Sequence, residues 1–182
     1  KIKIKRVKYY YNSNFKNNEQ LDSFFSALKW FNDDLLVTFS DIIYEDSILK
    51  KVLKSKFNIT LAIQKNWKKK YKNRFDHPYN QADKVFIKNK NIIKIGKELP
   101  ENETNGEFLG IFRIKKNFCK KIIEEYKKLK KKKDTQKLQL HNFFNYLIKR
   151  KIDLKPTYVN GKFMEIDTYN DYKIAKVIFS KK

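Results

Sequence analysis

The sequence lacks most of the residues that staple a small protein from within. A single cysteine, Cys119, excludes an internal disulfide. Its amphipathic surroundings read it as a small core residue rather than a nucleophile. The two histidines, His77 and His141, lie far apart, too few and too scattered for a structural zinc site. Three prolines and four glycines leave no Pro/Gly-rich linker, and no internal repeat stands out. No apolar run is long enough to span a membrane and no signal peptide is apparent, so the expected location is cytoplasmic. The first residue is Lys1 rather than Met, which reads as a chain recorded without its start.

Acidic residues are also scarce. There are 20 Asp and Glu against 43 Lys and Arg, a net charge of +23. That excess invites a nucleic-acid reading. However, Lys and Asn are spread through every segment, including expected strands and turns, which is a bias of the whole composition. The densest runs are 67–72 and 127–133. The second reads as a solvated helix end, where Lys suits the helix dipole, ahead of a polyanion patch.

What is present is a chain of 182 residues, enough for one sizeable core and one domain. Residues 5–11 read as a strand, and 12–14 as a turn. Leu21, Phe24, Phe25, Leu28 and Phe31 recur at helical spacing, which predicts a helix over 18–31. After the break at 32–34, residues 35–40 form a continuous apolar run, read as a buried central strand of a parallel sheet. Ser47 reads as the cap of a helix carrying Ile48, Leu49, Val52 and Leu53. Residues 59–63 read as the next strand, giving the β-α-β-α-β order of crossover units. A hairpin is predicted around Asn89-Lys90-Asn91, with strands 84–87 and 92–95. Further expectations are a strand over 107–114, helices over 115–133 and 137–150, a strand over 154–159, a turn at Gly161, and a last helix from about Asn170.

The run 35–40 ends on Asp41. In open α/β sheets ligands sit at the carboxyl ends of strands, so Asp41 stands where a hard cation and its phosphate ligand would bind. The alternative is a turn residue that caps the next helix. A second acidic cluster, Met164-Glu165-Ile166-Asp167-Thr168, lies far downstream and favours the first reading.

These motifs, in this order, resemble the sugar-phosphate nucleotidyltransferase superfamily. More narrowly they resemble the bacterial cytidylyltransferases that activate phosphocholine or 2-aminoethylphosphonate. The matching pieces are Thr38-Phe39-Ser40-Asp41-Ile42-Ile43; 67–74 with Ala82-Asp83-Lys84-Val85; Ile95-Gly96-Lys97; Gly106-Glu107-Phe108-Leu109-Gly110; and the Glu165–Asp167 cluster with Asp171-Tyr172. The resemblance implies an α/β, Rossmann-like nucleotide-diphospho-sugar transferase fold, with a mixed, mostly parallel sheet flanked by helices. It covers 1–182 as one domain. The family's N-terminal β-α-β portion and Gly-rich loop have no counterpart in this sequence, so the chain alone is expected to have little turnover. Asn142 stands near where many relatives carry Asp.

The activity implied by the resemblance is Mg²⁺-dependent transfer of CMP from CTP to a small phosphate or phosphonate, with release of pyrophosphate. A sugar 1-phosphate is the alternative acceptor. From another class, a basic nucleic-acid-binding module or a catalytically inactive homologue remains the rival reading. By resemblance Asp41 and Asp167 are catalytic and bind the metal, with Glu165 as a further ligand. Asp167 or Thr168 could instead cap the final helix. Glu107 would accept from a substrate ammonium, Trp67 and Tyr79 would wall a cationic head group, Arg74 and Lys97 would meet phosphate oxygens, and Gly106 is a further substrate-binding residue. The implied partners are the nucleoside triphosphate and the small acceptor, without specific nucleic acid; a homodimer is compatible with the family.

Overall fold

The computed structural model describes residues 7–72, 74–76 and 78–180. Its centre is β6 (Gly106–Ile114), whose nine residues are all buried. A strand with no wet face must be apolar on both sides. In β6, Phe108, Phe112 and Ile114 enter a larger core, while Leu109 and Ile111 enter a smaller one on the opposite face. Helices α1 (Gln20–Phe25), α4 (Lys116–Lys130) and α5 (Leu140–Lys149) close the larger core, and α2 (Asp46–Leu53) closes the smaller. The layers are therefore helix, sheet, helix. None of the described helices is long and apolar enough to cross a membrane.

β3 (Ile59–Gln64) flanks β6 on one side. On the other, β4 (Lys84–Lys88) pairs with the start of β6 and β1 (Leu35–Thr38) with its end. β5 (Asn91–Gly96) lies outside β4, and β7 (Lys155–Tyr158) outside β3. β6 is antiparallel to β1, β3 and β4, while β7 is parallel to β3. β1, β3, β4 and β7 therefore share one direction, and the sheet is mixed. The predicted crossover from β1 through α2 to β3 is present, but the reversed strand β6 lies between its two strands.

The run 35–40 differs from its sequence reading. Only Leu35–Thr38 is strand, and its residues alternate between half-buried and exposed. Leu35 and Val37 pack on the larger core. Among the described residues β1 pairs only with β6, so Leu36 and Thr38 face outward from a sheet edge. In the predicted strand 5–11, residues 5–6 lie outside the described part and 7–11 form no strand. Val7, Tyr9 and Tyr11 are exposed, and Lys8 and Tyr10 instead meet the Trp30 ring. Among the described residues no strand lies beside them to pair with. The predicted helix over 18–31 resolves into α1 and a 3₁₀ turn at Leu28–Trp30.

The β4–β5 hairpin turns at Asn89 and Lys90, both at positive φ (49° and 60°), as a type I′ turn requires. Lysine at such a position carries about 1–2 kcal/mol of strain, while glycine would lose about 0.5–1 kcal/mol through unfolded-chain entropy. Lys90 is exposed. Lys90→Gly is therefore expected to stabilise the protein by about 0.5–1 kcal/mol, read as a rise in the urea midpoint at unchanged slope. A fall in the midpoint would contradict this turn geometry.

Candidate active site

Two three-residue strands assemble the site, and the sequence reading singles out neither. β2 (Ile42–Tyr44) pairs antiparallel with β8 (Phe163–Glu165), setting Ile42 opposite Glu165. Just beyond the ladder, the Ile166 N–H donates to the Asp41 carbonyl at 2.8 Å. This pairing brings Asp41, Glu165 and Asp167 together, with one carboxylate oxygen of each within 4.8 Å of the others. Asp41 and Asp167 are exposed and Glu165 is half-buried. Burial first, and then the neighbouring Asp167 charge, push the Glu165 carboxyl up to about 7. Three converging carboxylates are the oxygen-donor set that suits a hard divalent cation.

The cluster faces a cavity of about 450 Å³, a size suited to a small-molecule ligand. Among the described residues its charged lining is Glu19, Asp41, Asp83, Glu107, Glu165 and Asp167 against the single cation Lys97. A chain of net charge +23 thus carries an acidic cavity. Gly110 contributes to the lining at φ +69, where the β3–β6 register shifts. A Cβ there would lie 2.7 Å from the Phe39 ring, so glycine at this bulge lets the Phe39 wall close on the backbone.

Glu107 is buried within this lining, where it accepts from the Tyr71 hydroxyl and pairs with Lys70. Burial pushes the Glu107 carboxyl up against the pull of Lys70, and the same burial pulls Lys70 down. Lys97 reaches the cavity and donates to Gln81 Oε1 at 3.4 Å.

The other sequence-read residues stand elsewhere. Trp67 is 2% exposed and packs in a small core with Tyr71 and Ala82, away from the cavity lining. Tyr79 is half-exposed beside a separate hollow shared with Lys68, Tyr71 and Glu101. Gly106 is buried where a Cβ would meet Ile63 Cγ2 at 2.5 Å, so its role is close strand packing. Arg74 is not placed to meet a phosphate: its Nε donates to Asp171 at 2.6 Å, and both side chains are fully buried. Burial would raise the Asp171 carboxyl, but the Arg74 hydrogen bond and charge hold it at about 2. Asn142 is the reciprocal partner of the Gln139 cap of α5, its Oδ1 accepting the Gln139 N–H at 2.9 Å.

The cap of α6 (Tyr169–Ser180) is Thr168, with Asp171 as its reciprocal partner. Asn73 and His77 lie outside the described residues. Sequence reasoning missed Lys70 and Tyr71 as the anchors of Glu107. Lys70 is hidden in a lysine run, but positions 70, 71 and 74 share one helical face, and that spacing is the available signal.

No protein-family model matches this sequence. It is 24% identical over 178 residues to the CTP:phosphoglutamine cytidylyltransferase of Campylobacter jejuni, covering 91% of this chain and 70% of that one. The fold is similar to the inositol-1-phosphate CTP transferase of T. maritima, with a TM-score of 0.68 and 20% identity over 89% of this chain. It is also similar to UTP-bound UGPase from Acinetobacter baumannii, with a TM-score of 0.63 and 13% identity over 85% of this chain. The chain spans 62% and 54% of those two structures.

The raised Glu165 carboxyl makes a signed prediction. Its folded-state value, about 7, lies above the ordinary 4.5. The folded state therefore holds a proton that the unfolded chain releases, and this contribution to stability is lost as pH rises from about 4.5 through 7. Glu165→Gln is expected to gain on the parent steadily between pH 5 and pH 8, as read from urea midpoints across that range. A gap independent of pH would contradict the assigned carboxyl.

Proposed function

We propose that the chain is a nucleotidyltransferase, a reading supported by its likeness to the Campylobacter cytidylyltransferase, and that it transfers CMP from CTP to a small phosphorylated or phosphonate acceptor. The observation that carries this is the convergence of Asp41, Glu165 and Asp167 at the edge of the cavity. An acceptor oxygen would form a bond to the α-phosphorus of CTP. The bond from that phosphorus to the bridging oxygen would break, and pyrophosphate would leave with the electron pair. Asp41, Asp167 and Glu165 would hold Mg²⁺, which when bound offsets the repulsion between the anionic reactants and stabilises charge on the transferring phosphate.

The chain's own residues account for positioning. Lys97 offers a cation to a phosphate oxygen from within the cavity. Glu107 stays fixed by Tyr71 and Lys70, and with Asp83 and Glu19 it makes the rest of the lining acidic. That lining favours an acceptor that carries a positive group. Phosphocholine and 2-aminoethylphosphonate meet this condition, and so does a phosphorylated amino-acid derivative such as the phosphoglutamine named for the Campylobacter relative. A sugar 1-phosphate brings no cation and fits less well. With Trp67 buried and Tyr79 outside the cavity, recognition of the positive group falls to the carboxylates.

The test is pyrophosphate release by the protein expressed from its complete reading frame. CTP and UTP would each be offered with phosphocholine, 2-aminoethylphosphonate, phosphoglutamine and a sugar 1-phosphate, with and without Mg²⁺. Metal-dependent release with CTP and a cation-bearing acceptor is the expected result. Asp41→Ala and Asp167→Ala should each lower it by about 10²-fold or more, as for loss of a main electrostatic contributor, with the thermal midpoint nearly unchanged. Silence of a folded protein across the panel would reject the reading. Tight, salt-sensitive binding of nucleic acid that ignores both substitutions would favour a polyanion binder.

A further inference from the structure

We infer that Arg74 and Asp171 act as a positioning clamp that sets the backbone carrying Glu165 and Asp167. This inference rests on the reading of Asp41, Glu165 and Asp167 as a divalent-cation site.

A buried ion pair is by itself weak evidence for stability, because desolvation offsets much of the attraction. What singles out this pair is where its remaining atoms go. Asp171 Oδ1 takes the Arg74 Nε–H, while Oδ2 accepts the Asp167 N–H at 3.2 Å and the Thr168 N–H at 3.0 Å. The Asp171 N–H donates back to Thr168 Oγ1 at 3.1 Å. Arg74 Nη2 donates to the Glu165 carbonyl at 3.0 Å. The pair therefore grips peptide groups at 165, 167 and 168, on both sides of two of the three converging carboxylates. Glu165 and Asp167 are two residues apart at the end of a strand, and a small twist of that backbone would send their side chains in different directions.

Arginine suits this task because its planar fork serves two acceptors at once, which an ammonium on a flexible stem does not. The guanidinium is itself supported, with the Tyr71 ring centroid 5.0 Å from it. Tyr71 also donates to Glu107. One short stretch, α3 (Lys68–Tyr71) and its exit to Arg74, thus forms the underlayer of the acidic site. It holds Glu107 through Lys70 and Tyr71, and the 165–168 backbone through Arg74. None of these three side chains lines the cavity, so the clamp acts through other residues.

The test is Mn²⁺ binding to the protein without nucleotide, read from the electron spin resonance of the free ion, together with thermal unfolding. Asp41→Asn provides the reference for loss of a ligand. Arg74→Lys and Asp171→Asn are each expected to weaken Mn²⁺ binding about tenfold or more, the usual effect of removing a partner that orients metal ligands, while unfolding stays cooperative. Lysine keeps the charge and should not rescue. Folded Arg74→Lys and Asp171→Asn variants with parental affinity would overturn the clamp. Should either fail to fold, Thr168→Ala decides, since it removes only one acceptor of the cap. A smaller loss of affinity in the same direction is expected there, and unchanged affinity overturns the inference. A parent that binds no Mn²⁺, or binds it equally well with Asp41→Asn, would overturn the cation reading and the clamp together. Binding that Asp41→Asn removes but Arg74→Lys leaves intact would overturn the clamp alone.

Discussion

Like charges repel, and three carboxylates held within 4.8 Å of one another stay there only if the backbone beneath them cannot yield. Much of this molecule can be understood from that constraint. The β2–β8 ladder ties the Asp41 segment to the Glu165 segment by backbone hydrogen bonds, which no change of protonation can break. The Thr168–Asp171 cap ends the second segment in a helix of defined direction. The repulsion that remains shows in Glu165, whose carboxyl is pushed up to about 7 by burial and by Asp167. A divalent cation there would relieve that repulsion.

The charge distribution has two scales. At long range the chain is strongly basic, with a net charge of +23, which attracts anions such as a nucleoside triphosphate. At short range, among the described residues, the cavity is lined by carboxylates with Lys97 as the single basic residue. An anion drawn in by the surface meets a wall of its own sign unless a cation, or a positive group on the second substrate, stands between. Under the proposed activity, binding of the nucleotide, a cation-bearing acceptor and the metal would support one another on electrostatic grounds.

Asp41 was legible because it ends an apolar run, and Glu165 and Asp167 because they form an acidic cluster in a basic sequence. The hairpin at Asn89-Lys90, the strand 107–114 and the helices 116–130 and 140–149 were legible from periodicity and turn chemistry. Arg74 and Trp67 show the limit of such reading. A basic side chain within a segment that resembles the family and an aromatic beside a basic run both suggest a ligand. Arg74 is instead taken by a carboxylate 97 positions away, and Trp67 by a small aromatic core. Lys70 shows the converse, since within the lysine run 68–70 only its helical spacing from Tyr71 and Arg74 sets it apart from its solvated neighbours.

By itself, then, the sequence determined which short-range elements form and where its acidic pieces stand along the chain. Propensity, turn geometry and hydrophobic period act over a few residues and leave their mark in composition. Tertiary structure alone decided that β6 runs against its neighbours, that β1 lies at an edge, and that β2 and β8 pair at all. A three-residue strand has too few side chains to show a period, and its existence depends on a partner supplied from far along the chain. The acidic cluster is therefore written in the sequence as two separate pieces, and becomes one only when the long-range β2–β8 backbone pairing brings them face to face.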